Sequence, residues 1–462
     1  MIKYIIIFLF FFVNHCSFDN KTGIWKDASQ IPIENSDVEN IENNRVSKYE
    51  DIFISDKLFD EEKIGKTDFT TTVEQAIKNN SWKDEFLTET NNVSNILYDN
   101  NEFLEFKSSK LSNFPNIYKS VFAQLKTPLL INNQLISYDH RGKIYVYDLK
   151  KRTKIIEYNF YKKAFKKYKK KISLVIKNNT IFAADNLGYI YAIDIRNGSL
   201  IWAKNYGIPF RSNIKVADTQ IIVANEENTI FSIDISNGNV NWKFDSTKAF
   251  LNNDFLNNIV LDTNNKNILF LNTSGELYSI NYLKKKINWV LNFKNTSFST
   301  DVSLFLSKPI ILKDNNLIVS TSKSLFNYNA ASSQKIWSTP ISSALKPVAT
   351  KENIYLISKN KLLICLDMRS GEVIWSKRVL SNLKHGFIKK KTDKVGAIIN
   401  LGIVNNKINI YTNKGFLFIF DPKTGKSLSQ NRILRSGISA NPIFYNGKMI
   451  LINNKNKLYQ YQ

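Results

Sequence analysis

One nine-residue pattern governs what this chain can fold into. It reads DIRNGSLIW from Asp194, DISNGNVNW from Asp234 and DMRSGEVIW from Asp367. In the same register stand DLKKRTKII from Asp148, NYLKKKINW from Asn281, NAASSQKIW from Asn329 and DPKTGKSLS from Asp421. Directly before each lies a short apolar run: KIYVY, YIYAI, TIFSI, ELYSI, SLFNY, LLICL and FLFIF. An eighth such run, KLYQYQ, begins at Lys457. Successive copies lie 38 to 54 residues apart. A unit of several short strands repeated at this spacing cannot bury a core alone and must stack on its neighbours. A period of about 40–50 residues marks the blades of a β-propeller.

Each residue of the pattern has a structural reason. The carboxylates of Asp194, Asp234, Asp367 and Asp421 can accept backbone N–H groups two or three residues on and pin a turn. Gly198, Gly238, Gly371 and Gly425 can take positive φ without steric cost. Trp202, Trp242, Trp289, Trp337 and Trp375 share one register position just into the next strand. A large flat side chain there can wedge between blades. Apolar residues at 43% and aromatics at 13% suit a β core of this kind.

Seven turns plus the last strand predict an all-β, eight-bladed β-propeller of four-stranded antiparallel blades, over residues 113–462. The final blade lacks its own outer strand. Closure calls for one from the other end of the domain, and Ser120–Leu125 or Leu129–Ile136 can supply it.

The N-terminus is of another kind. Lys3 followed by the apolar run Tyr4–Val13 reads as a signal peptide over residues 1–15, too short to span a bilayer. Cys16 follows it, the place of a lipidated cysteine in an exported lipoprotein. Val13 fits the usual cleavage pattern and Asn14 and His15 do not, so simple cleavage and an uncleaved anchor stay open. Residues 16–112 read as an acidic, mostly disordered leader or tether, with short helices around Val73–Asn79 and Trp82–Leu87. Between Ser17 and Lys110 there are about 20 acidic and 11 basic residues, so the net +24 of the whole chain is carried by its body.

The turn motif resembles the repeat named for the pyrroloquinoline quinone dehydrogenases. That repeat builds eight-bladed propellers in quinoprotein enzymes and in the BamB family of outer-membrane β-barrel assembly lipoproteins. The ending resembles the second: a seventh turn without Trp, then Ser436, Gly437 and Pro442, a Gly447–Lys448 hairpin, and a strand that stops in mid-blade. The resemblance covers about Asn116–Gln462. It implies a non-enzymatic scaffold that asks for no cofactor. Such a scaffold is lipid-anchored on the periplasmic face of the outer membrane and docks on the POTRA domains of BamA among other assembly subunits. In that family the contacts come from apolar residues and an Arg after the third turn, and from acidic residues in the next connection. Here the third connection offers Phe250, Leu251, Phe255 and Leu256 without an Arg, and the next offers only Asp301. Ordinary loop packing accounts for the same residues.

Other chemistries find little. Quinoprotein dehydrogenases hold the quinone with a Ca²⁺ ion on carboxylate and amide ligands, often beside a Cys-Cys pair. This chain has two separate cysteines, Cys16 and Cys365, and no carboxylate cluster outside the repeats. His15, His140 and His385 stand apart, and no zinc spacing or phosphate loop appears. A second binding class rests on YKKAFKKYKKK, where Lys162, Lys163, Lys166, Lys167, Lys169, Lys170 and Lys171 interleave with aromatics. Basic residues among aromatics can bind polyanions. For an exported chain these are anionic lipid heads rather than nucleic acid. A solvated inter-strand loop explains the run equally.

Overall fold

The computed structural model describes residues 16–18, 25–27, 61–63, 71–99, 103–113, 127–161, 165, 168–248, 256–293, 305–381 and 393–462. Within Met1–Phe59, the strand Cys16–Phe18 pairs antiparallel with Trp25–Asp27. From Asp60 on, the chain builds eight four-stranded antiparallel sheets in sequence order.

Blade 1 runs Leu129–Ile131, Gln134–Tyr138, Ile144–Asp148 and Thr153–Tyr158, innermost strand first. Blades 2 to 7 repeat that order from Ile172–Lys177 to Ser427–Arg432. The reason for the layering is visible in each strand. The three inner strands are near-continuous apolar runs buried on both faces, such as Ile259, Val260 and Leu261 in blade 4. The outer strand alternates and is half exposed, as in Leu200–Asn205. The core is accordingly a series of layers between neighbouring blades. Phe182 and Ile190 of blade 2, for example, pack with Ile221 and Phe231 of blade 3.

Blade 8 closes the ring. Its strands Ile443–Tyr445, Lys448–Ile452 and Lys457–Tyr461 come from the C-terminus, and its outer strand is Leu104–Lys110. This corrects the expected closure. Leu129–Ile136 is spent on the two inner strands of blade 1, and Ser120–Leu125 lies outside the described residues. Leu104–Lys110 wins because its side chains fit the open edge. Glu105 accepts from Lys448 Nζ at 2.6 Å and from Gln460 Nε2 at 2.7 Å, and Ser108 Oγ accepts Leu458 N–H at 2.9 Å.

The acidic tract is also more ordered than expected over 71–99. No helix forms at Val73–Asn79 or Trp82–Leu87. Instead Trp82–Asp99 threads the mouth of the central channel and bonds to the innermost part of every blade in turn. Trp82 exchanges backbone hydrogen bonds with Leu130 of blade 1, and Lys83 O accepts Ile176 N–H of blade 2. Asp84 takes Lys215 of blade 3. Glu89 and Thr90 carbonyls accept Leu261 and Leu312 of blades 4 and 5. The Asn92 side chain bonds both ways with Ala349 of blade 6. Ile96 pairs with blade 7 and Asp99 with blade 8. The inner edge of a propeller strand presents unpaired N–H and C=O groups. This plug pairs them, which is why a polar segment rich in Asn can be buried there.

Candidate functional site

The repeated turns are the first place to look for chemistry, and their geometry assigns them to folding. Asp367 Oδ1 accepts Arg369 N–H at 2.9 Å and Ser370 N–H at 2.7 Å; Asp421 does the same in its turn, and Asp194 and Asp234 accept the N–H two residues on. Gly198, Gly238, Gly371 and Gly425 have φ between 66° and 74°. Each tryptophan reaches into the following blade. Trp202, Trp289, Trp337 and Trp375 donate their indole N–H to Ile235, Ala330, Met368 and Pro422 carbonyls at 2.9–3.2 Å. Each acceptor follows the first residue of the next turn. Trp242 is the exception, with a buried N–H that finds no acceptor among the described residues. The turn thus fastens one blade to the next.

Most of the other sequence candidates fall outside the described residues. Phe250, Leu251, Phe255, Asp301, Lys162, Lys163, Lys166 and Lys167 lie outside the described residues, and so do the side chain of Cys16 and all of His15 and His385. Leu256 is half-buried just before blade 4. Of the basic run, Lys169 is exposed and Lys171 half-buried. Lys170 is fully buried, donates to the carbonyls of Phe165 and Tyr168, and lies over the Tyr161 ring at 4.6 Å. It serves the fold rather than an external anion. His140 sits in a turn of blade 1, where its carbonyl accepts Lys170 N–H. Cys365 is buried, and burial pushes its thiol well above the usual range.

The concave site that remains was not visible in the sequence. Above the plug lies a cavity of about 730 Å³, walled mainly by blades 5 to 8. Its floor is apolar: Trp82, Phe86, Val93 and Ile96 of the plug. Its walls carry Lys308, Lys346, Lys359, Lys361 and Lys414 against Glu85 and Asp393, an excess of positive charge. Burial, then the like charge of Lys215, lowers the Lys346 ammonium to about 7. Burial and Lys359 lower Lys308 as well. Two lysine amino groups lie over the Phe86 ring, Lys215 Nζ at 5.7 Å and Lys346 Nζ at 5.8 Å from its centre. Beneath it, fully buried Lys215 is held by Asp84 at 2.9 Å and by the Thr88 carbonyl at 2.9 Å. Among the described residues no group of three or more His, Cys, Asp or Glu could hold a metal ion. No alternation or motif marks such a cavity, because its residues come from the plug and from loops of four blades.

Solved structures share this ring. BamB from Moraxella catarrhalis superposes with a TM-score of 0.60 at 14% identity, covering 78% of this chain and 99% of its own. The quinohemoprotein alcohol dehydrogenase from Comamonas testosteroni gives 0.62 at 11% identity, with 84% and 81% covered. A europium-containing methanol dehydrogenase gives 0.58 at 13%, with 82% and 89% covered. At such identities these likenesses establish the propeller alone. No curated protein matches the chain. A family model described as outer membrane protein assembly factor BamB matches residues 140–377, from the first blade into the sixth. Because that match takes in more than half of the 462 residues, the chain belongs to the outer membrane protein assembly factor BamB family.

Proposed function

We propose that this protein is a non-enzymatic scaffold of outer-membrane β-barrel assembly. In this reading residues 1–15 direct export and Cys16 is lipidated. The ring is then held on the periplasmic face of the outer membrane and docks on the POTRA domains of BamA. The observation that carries the reading is the family match across the repeats. The chemistry of the cavity supports a binding role over a quinoprotein one. A divalent metal with a quinone needs clustered carboxylate ligands, and the described walls bring lysines together instead. The quinone–metal group therefore does not fit the described residues of the cavity.

The test is capture of the chain from cross-linked cell envelopes. BamA should co-purify, and Cys16→Ser should move the chain from the membrane to the soluble fraction. Recovery of BamA from the same membranes but not with this chain would overturn the scaffold. Alcohol oxidation on adding quinone and Ca²⁺ would reinstate an enzyme.

A further inference from the structure

We propose that the cavity above the plug is a binding site for a small amphipathic anion: a carboxylate or phosphate head on an apolar body. The site stands apart from the docking reading, because it uses the channel and not the connections expected to meet BamA.

Size and lining point to this chemistry. About 730 Å³ lies within the roughly 300–1,000 Å³ of ordinary small-molecule sites. The floor of Trp82, Phe86, Val93 and Ile96 offers an apolar body a place to leave water. Among the described residues, two cations and one donor on the lining have no strong partner. Within the described residues Lys346 Nζ has a single hydrogen bond, to the Pro347 carbonyl at 3.5 Å, at the limit of such contacts. Among the described residues Lys308 has no carboxylate within ion-pair reach. The Trp82 indole N–H is buried and has no acceptor among the described residues. Lys308 and Lys346 are half-buried on this lining, and an anionic head against either ammonium gains a charge-assisted hydrogen bond.

The environment of Lys346 gives the site a pH signature. The charged groups around it are Lys215 on blade 3 with its partner Asp84, Glu85 on the plug, Lys308, Lys359 and Lys361 on blades 5 and 6, and Asp393 and Lys414 on blade 7. With its free-state pKa lowered to about 7, Lys346 is largely neutral at pH 9 and protonated at pH 6. A bound anion favours the protonated form, so affinity falls as pH rises between these values.

The experiment titrates the full chain with 1-anilinonaphthalene-8-sulfonate, whose sulfonate stays ionised throughout, and follows fluorescence. Binding should be saturable and tighter at pH 6 than at pH 9. Lys346→Met should weaken it about tenfold, the loss of one charge-assisted contact, and flatten the pH dependence. Lys346→Arg should retain binding, with the pH dependence removed. Laurate should displace the probe and dodecanol should not. Dihexanoyl phosphatidate is the second competitor. Displacement by laurate alone assigns a free fatty acid, and displacement by phosphatidate alone assigns a lipid head. Equal probe affinity in the wild type and the Lys308→Met/Lys346→Met double variant, or displacement by neither anion, overturns the proposal.

Discussion

At the scale of single residues, the turn glycine is set by its neighbour as much as by its backbone. At the same turn position stand Arg152, Lys285 and Ser333, with φ of 56°, 54° and 60°. Left-handed backbone is therefore tolerated here without glycine. What Gly371 adds is room, since a Cβ would lie 2.4 Å from Cδ2 of the Trp337 indole. Gly371→Ala should cost about 2–4 kcal/mol, from overpacking and left-handed strain together. Ser333→Gly should gain up to about 1 kcal/mol by relieving the strain alone. Urea unfolding of the two variants checks the pair; equal and small effects would show that the indole contact is soft. The Asp, Gly and Trp of the motif were legible because they recur in register. The acceptor of each indole was not, because it lies in the following repeat.

At the scale of the element, the plug is the part that the sequence hid. Its apolar residues have no period, because an irregular segment with turns at Asp84–Asn91 that meets eight different partners needs a different side chain at each. One of its anchors is electrostatic. Asp84 and Lys215 are both buried, and burial raises the Asp84 carboxyl above its ordinary value despite the lysine. Removing one partner of such a pair leaves a charge with nothing to offset its desolvation. Asp84→Ala should cost about 3–5 kcal/mol, because Lys215 loses the carboxylate and keeps only the Thr88 carbonyl. Lys215→Met should cost less and depend on pH. Without the lysine, the raised Asp84 carboxyl can be neutral in the fold while the unfolded chain is ionised. Stability from such a group is present at low pH and lost as pH rises through the folded value. Lys215→Met should therefore be more stable near pH 5 than near pH 8 relative to wild type, read by urea melts. An unchanged difference between the two pH values would place the carboxyl in water instead.

At the scale of the whole molecule, the repeat count correctly indicated eight blades but not how the ring is closed. Leu129–Ile136 has the better strand pattern, yet each blade needs its own inner pair, and blade 1 takes it. The closing strand, LEFKSSK, sits in an acidic tract and pairs with irregular register at Leu104/Phe106 and Lys107/Lys110. Such a strand carries little intrinsic preference, and the open edge selects it. The partners Leu104 and Tyr461 stand at opposite ends of the ring's sequence, so the pairing is a long-range one of the kind that forms slowly. It also turns the start of the ring into a lock on its end. A chain beginning at Leu111 would leave Lys457–Tyr461 as a free edge beside the buried rings of Tyr459 and Tyr461. Free apolar edges pair with other chains. The truncated chain should therefore dimerise or aggregate in light scattering under conditions where the full chain is monomeric. Adding the peptide of residues 61–113, which also carries the plug, should restore the monomer. A truncated chain that stays monomeric with unchanged urea cooperativity would mean that seven complete blades hold the eighth closed without its outer strand.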